Sequence, residues 1–169
     1  MQAVVESRAG SGWIIVASFF LAMVLAVLPL PEGVPVEIGY LRPDWVGLVL
    51  IYWVIALPQR IGIVTAWCVG ILMDVLLGSL LGQHALSMML VAYIASSLYQ
   101  RLRMFSVWQQ SLVVFATIGL HQLLNFWIES IAGLREWNMW YLMASVVSAL
   151  FWPWIFLLLR FLRRKFDIR

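Results

Sequence analysis

The chain has 169 residues, of which 64% are hydrophobic and 11% charged, against about 45 to 50% and about 25% in soluble domains. That composition excludes an ordinary soluble domain and marks an integral membrane protein, with too few residues outside its apolar runs for a second domain. The formal charge of +3 does not imply nucleic acid, because the basic residues sit beside apolar segments, where orientation in a membrane accounts for them.

Met1 to Gly12 read as a short polar head. The apolar run 13–30 is long enough to span a bilayer. It exceeds a signal-peptide core and no small-x-small cleavage pattern follows it, so it is expected to stay as the first helix. Pro29, Pro31, Gly33 and Pro35 stop it and open a loop carrying Glu32, Glu37, Arg42 and Asp44. The second span, 43–57, is short: Trp45 to Leu57 gives about 20 Å of helix. It needs Pro43 and Asp44 in its first turn, where a proline's missing N–H is no loss.

Pro58-Gln-Arg60 turns the chain into the third span, 61–78, which contains Asp74. The fourth is 80–99. Residues 78–84 read either as its beginning or as a non-helical stretch at membrane depth, which is permitted where protein or water satisfies its backbone. Arg101 and Arg103 mark a loop, the fifth span is 107–128, and Glu129 to Asn138 form another polar loop. The sixth span, 139–159, contains Trp152-Pro-Trp154, so a bend is expected at Pro153. The chain thus reads as all-α, one membrane domain over 1–169 with six transmembrane helices, ending in a basic tail from Arg160 to Arg169.

With the amino terminus cytoplasmic, only Arg42 and Arg135 of the eleven basic residues fall outside, a strong positive-inside pattern that also puts the carboxy terminus in the cytoplasm. Trp13, Trp45, Trp108, Trp137 and Trp140 fall at the expected interfaces, as an aromatic belt requires. The basic tail reads as an orientation signal and a snorkelling anchor beside anionic membrane lipid, and additionally as a surface for a cytoplasmic partner.

Asp74 is the costly residue. A carboxylate within a span costs roughly 2.5 to 3.5 kcal/mol at mid-bilayer and normally faces other helices or a wet cavity. Gly70, Gly78 and Gly82 beside it offer surfaces for close packing, within the chain or in a homo-oligomer. On this topology Asp74 lies near the outer end of the third helix, Gln83 and His84 lie in the outer turn, and His121, Gln122, Asn125 and Glu129 lie on the outer half of the fifth. His121, Asn125 and Glu129 share one face. These groups either pair with one another and fix the packing or line an outward-open pocket for a ligand or a partner's side chain. A metal site of Asp74, His84, His121 and Glu129 has no ligand-spacing motif behind it, so no metal and no cofactor are expected. No Gly-x-Ser-x-Gly, phosphate loop or His-Glu-x-x-His is present, which argues against an enzyme. Cys68, within an apolar run and without an intrachain partner, reads as a structural thiol.

Leu41-Arg-Pro-Asp-Trp45, Ile51 to Arg60, the Gly70 to Gly82 stretch around Asp74, Trp108-Gln-Gln110 and Phe151-Trp-Pro-Trp-Ile155 before a basic tail together resemble the MreD family of bacterial rod-shape-determining inner-membrane proteins. The resemblance runs nearly the whole length in the same order and points to a Gram-negative source. It implies a non-enzymatic scaffold of the cell-elongation complex that binds MreC, alongside the MreB filament, a polymerase and its penicillin-binding transpeptidase, and supports lateral peptidoglycan synthesis. It also implies a fold similar to the S component of energy-coupling-factor vitamin transporters. The alternatives are a solute-binding subunit of such a transporter, against which stand few polar residues to read a vitamin, and a lipid-precursor binding or flipping protein, for which Arg42 and Arg135 are the only outward cations.

Overall fold

The structure, a computed structural model, describes residues 2–29, 39, 41–133 and 139–168, with side chains from residue 12 onward except that of Met139. Among the described residues there are six α-helices of defined extent and one short 3-10 turn, and no strand. The expected loop residues Pro31, Glu32, Gly33, Pro35 and Glu37, as well as Arg135, Glu136, Trp137 and Asn138, lie outside the described residues, as does the side chain of Arg8.

Helix α1 spans Gln2–Val27. It takes in most of the expected polar head, because Gln, Ala, Glu and Arg are good helix formers and no proline intervenes before Pro29. Helix α2, Trp45–Ala56, begins one residue after Asp44, not at Pro43. Asp44 is its N-cap: Gly47 N donates to Asp44 Oδ1 at 2.9 Å, satisfying an amide that the helix itself leaves orphaned. Asp44 N in turn donates to Ser148 Oγ at 2.8 Å, which joins this entry to the sixth helix.

Every residue from Val46 to Ile55 is buried. A helix apolar all round is stable only when other elements surround it, and α2 is the axis of the molecule, packed against α1, α4, α5 and α6. Trp53 Nε1 donates to Ser18 Oγ of α1 at 2.9 Å, and Tyr52 meets Phe156 of the sixth helix edge to face at 5.8 Å.

Helices α3, Ile63–Leu77, and α4, Gln83–Met104, form an antiparallel hairpin. Residues 78–82 between them are a non-helical turn, so the fourth helix starts at Gln83 instead of residue 80. It also continues through Arg101 and Arg103, which are helical and not a loop; cations in a last turn oppose the negative end of the helix dipole. Helix α5, Val107–Ile131, starts at a capping box in which Ser106 N donates to Gln109 Oε1 at 2.9 Å. It runs past Glu129, which is therefore on the helix and not in the following loop. After the 3-10 turn Met139–Leu142, helix α6 spans Met143–Lys165. Pro153 lies inside it, leaving the Ala149 carbonyl without a helical donor, and the basic residues through Lys165 belong to the helix.

Helices α5 and α6 form the second hairpin. Buried Gln110 ties it to the rest: its Nε2 donates to the Leu102 carbonyl at 2.9 Å, and its Oε1 accepts from Trp152 Nε1 at 3.1 Å. Two stretches, Val107–Ile131 and Trp140–Lys165, are long and apolar enough to cross a membrane; 12–27, 45–56 and 63–77 are shorter apolar helices. Val16 and Phe20 on α1, Val64 and Val75 on α3, and Trp154 and Leu157 on α6 are exposed, an apolar exterior suited to lipid.

Candidate functional site

Asp74 sits one turn from the end of α3 and is 1% exposed. Its carboxylate closes the turn that follows it. Oδ2 accepts from Gly82 N at 2.8 Å, while Oδ1 accepts from His84 N at 2.8 Å and from Ser79 Oγ at 2.9 Å. His84 Nδ1 lies 2.9 Å from the same Oδ1. The N-cap of α4 is Gly82, which has no side chain to cap with, and the carboxylate of the preceding helix takes that role. A buried carboxylate is tolerable when hydrogen bonds surround it, and here the backbone supplies them. The Asp74 carbonyl also accepts from Gly78 N and, at 3.1 Å, from Ser79 N, which ends α3.

The three glycines do different work. Gly70 packs closely: a Cβ there would lie 2.6 Å from Ala85 N and 2.7 Å from the His84 carbonyl carbon. That surface is taken up inside the chain by α4 and is not free for a second copy. Gly78 and Gly82 have open space around them but φ of 64° and 97°. Their reason is the left-handed backbone of the turn, not close packing.

Beside this knot lies a cavity of about 490 Å³ lined by Arg42, Asp44, His84, His121, Gln122 and Asn125 among its polar residues, with Met73, Leu77, Met88 and Tyr141 among the apolar ones. His121 Nε2 lies 3.4 Å from Asp44 Oδ2 and 3.3 Å from Asn125 Nδ2, and the His84 and His121 rings are 6.2 Å apart. Apart from that His121 approach to Asp44 Oδ2, the oxygens Asp44 Oδ2, Gln122 Oε1 and Asn125 Oδ1 are buried without a hydrogen-bond partner among the described residues, as is His121 Nδ1. All three oxygens belong to residues that line the cavity, and unpaired acceptors at a cavity wall suit a group that brings N–H or O–H donors.

Asp74 itself does not line this cavity; it fixes the backbone that presents His84. Gln83 and Glu129 are not on its wall either. Gln83 Nε2 donates to Glu129 Oε1 at 2.8 Å and ties α4 to α5. No group of three His, Cys, Asp or Glu side chains converges among the described residues. The sequence places Asp44 at the start of the second span and Arg42 in the loop before it, both apart from the cluster. The signal was present in Asp44 preceding a long apolar run, the mark of an N-cap, which puts it at the same end of the bundle as Asp74.

The chain matches the model of the family described as rod shape-determining protein MreD over residues 7–162. It is 38% identical over 154 residues to the rod shape-determining protein MreD of Haemophilus influenzae, covering 90% of this chain and 93% of that one. No solved structure matches it.

Proposed function

The chain belongs to the MreD family of rod shape-determining proteins, and from that premise we propose that this membrane protein is a non-enzymatic scaffold of the cell-elongation complex, spanning the bacterial inner membrane six times with both termini in the cytoplasm. On this reading it is a single membrane domain that binds MreC and supports lateral peptidoglycan synthesis, in one complex with the MreB filament, the elongation polymerase and its transpeptidase. Its architecture would be similar to that of vitamin-transporter S components, with the 490 Å³ cavity opening outward.

The observation that carries the reading is the use made of Asp74. A buried carboxylate whose oxygens accept from Ser79, Gly82 and His84 shapes one end of the bundle. A shaped, rigid end is what a protein that seats a partner requires. The apolar flanks of α1, α3 and α6 leave room for a single-span partner helix.

Mass spectrometry of what co-purifies with the tagged chain from gently solubilised native membranes tests this. A single-span protein with a large periplasmic region and wall-synthesis enzymes are the expected companions. Paired ATPases with a coupling subunit would overturn the reading in favour of solute transport. In cells that depend on the variant, Asp74→Leu is expected to abolish rod shape and Asp74→Asn to weaken it; survival of rod shape and of complex formation in both would remove Asp74 from the account.

A further inference from the structure

At the end of the bundle opposite Asp74, where α2, α4 and α6 finish and α5 begins, a second cavity of about 470 Å³ is lined by Arg103, Arg160 and Arg163, with Tyr52 and Gln110 among its other walls. No carboxylate among the described residues lines it. Part of the cationic charge serves the fold: Arg103 donates from Nε to the Ile55 carbonyl at 3.0 Å and from Nη2 to the Ala56 carbonyl at 3.1 Å, and Arg163 Nη1 reaches the Ala56 carbonyl at 3.5 Å. These carbonyls are in the last turn of α2 and have no intrahelical donor, and a cation there also opposes the negative end of the helix dipole.

That role does not account for the rest of the arrangement. A guanidinium carries about five N–H donors, and among the described residues Arg163 uses one of them, on the Ala56 carbonyl. Arg160 lies over the Phe156 ring, 6.0 Å from its centre, and holds no helix carbonyl. Tyr52 is 3% exposed and brings a hydroxyl to the same void. Gln110, by contrast, is satisfied on both its nitrogen and its oxygen. Three guanidiniums around one void repel one another unless an anion joins them, and their planar forks match the oxygens of a phosphate.

We propose that this cavity binds a phosphate mono- or diester, held by Arg103, Arg160 and Arg163 with the Tyr52 hydroxyl as a further donor. The phosphate belongs either to the headgroup of an anionic membrane lipid or to a soluble phosphate compound. The proposed orientation bears only on which leaflet or compartment supplies it, not on the site.

The full chain, purified in detergent, is offered phosphatidylglycerol and phosphatidylcholine of identical acyl chains in equal amounts, and retained lipid is read by native mass spectrometry. The wild type is expected to prefer phosphatidylglycerol by about tenfold, since the guanidiniums make charge-assisted bonds to an unneutralised phosphate. Arg160→Gln, which disturbs no helix carbonyl, should remove most of that preference. The double change Arg164→Gln and Lys165→Gln, which removes charge beside the cavity but not from its wall, should leave the preference in place. In the second arm inorganic phosphate or glycerol 3-phosphate is titrated while the thermal midpoint is followed. A rise in the wild type that Arg160→Gln lacks, without any lipid preference, supports the site and identifies a soluble source. A wild type that neither discriminates between the lipids nor responds to phosphate overturns the proposal, and so does an Arg160→Gln protein that behaves as wild type in both arms. The orientation is checked separately by labelling Met104→Cys in a Cys68→Ser background in whole cells, so its failure is distinct from the failure of the site.

Discussion

The two ends of the bundle solve the same problem with opposite charges. At one end Asp74 reaches across a turn to the amides that open α4; at the other Arg103 and Arg163 reach across to the carbonyls that close α2. A carboxylate has two oxygens, and three donors from the turn and the start of α4 use both of them. A guanidinium has about five donors on a flexible stem, and two carbonyls leave most of them unused. An anionic cap therefore closes into a finished knot, whereas a cationic cap leaves binding capacity beside it. The same backbone need yields a structural element at one end and a candidate site at the other.

Substitutions break this contrast to different degrees. The largest effect belongs to Gly70→Val. Its side chain would meet the backbone of Ala85 and His84 rather than a movable side chain, so α3 and α4 must separate, at a cost of about 3 kcal/mol or more. Little folded protein should be recovered from detergent. Asp74→Leu comes next: the Gly82 and His84 amides lose their acceptor in a buried turn, for a loss of about 2 to 5 kcal/mol. Asp74→Asn keeps one oxygen and is expected to lose about half as much. Thermal unfolding in detergent ranks the two, and equal midpoints for wild type and Asp74→Leu would show that the knot contributes nothing. Gly82→Ala should cost about 1 to 2 kcal/mol from the left-handed backbone alone, with no change in lipid retention at the far end. Arg103→Gln is expected to be the mildest, about 1 kcal/mol, because water and Arg163 can serve the freed carbonyls.

Much of this was legible in the sequence, for reasons that can be named. Long apolar runs separated by proline, glycine and arginine gave six helices, and the turns expected after Leu57 and at Gly78-Ser79 lie where they are observed. Asp74 stood out because charge is costly in such surroundings, and His84 and His121 fall beside it because topology returns their helices to one end. Three features were hidden. The helical extensions through Arg103, Glu129 and Lys165 follow polar residues that favour a helix as readily as a loop. The distinct roles of Gly70 and Gly82 depend on a backbone approach and on a dihedral angle, neither of which has a spacing. The arginine cavity joins Arg103 on α4 to Arg160 and Arg163 on α6 through the end of α2, and nothing local in the chain links them.

Helix α3 has 15 residues, about 22 Å of rise, against a hydrocarbon layer of about 30 Å. The still shorter α2 is sheathed by other helices and needs no match to the lipid, but Val64, Leu72, Val75 and Leu76 of α3 are exposed. With α3 crossing the bilayer as proposed, the membrane on that flank would have to thin to meet the protein, at a fraction of a kcal/mol for each Å. The molecule would then carry an asymmetric dent in the membrane around itself, and neighbours with equally short spans would gain by sharing it. Bilayer thickness becomes a means of gathering such proteins together before any of them touch.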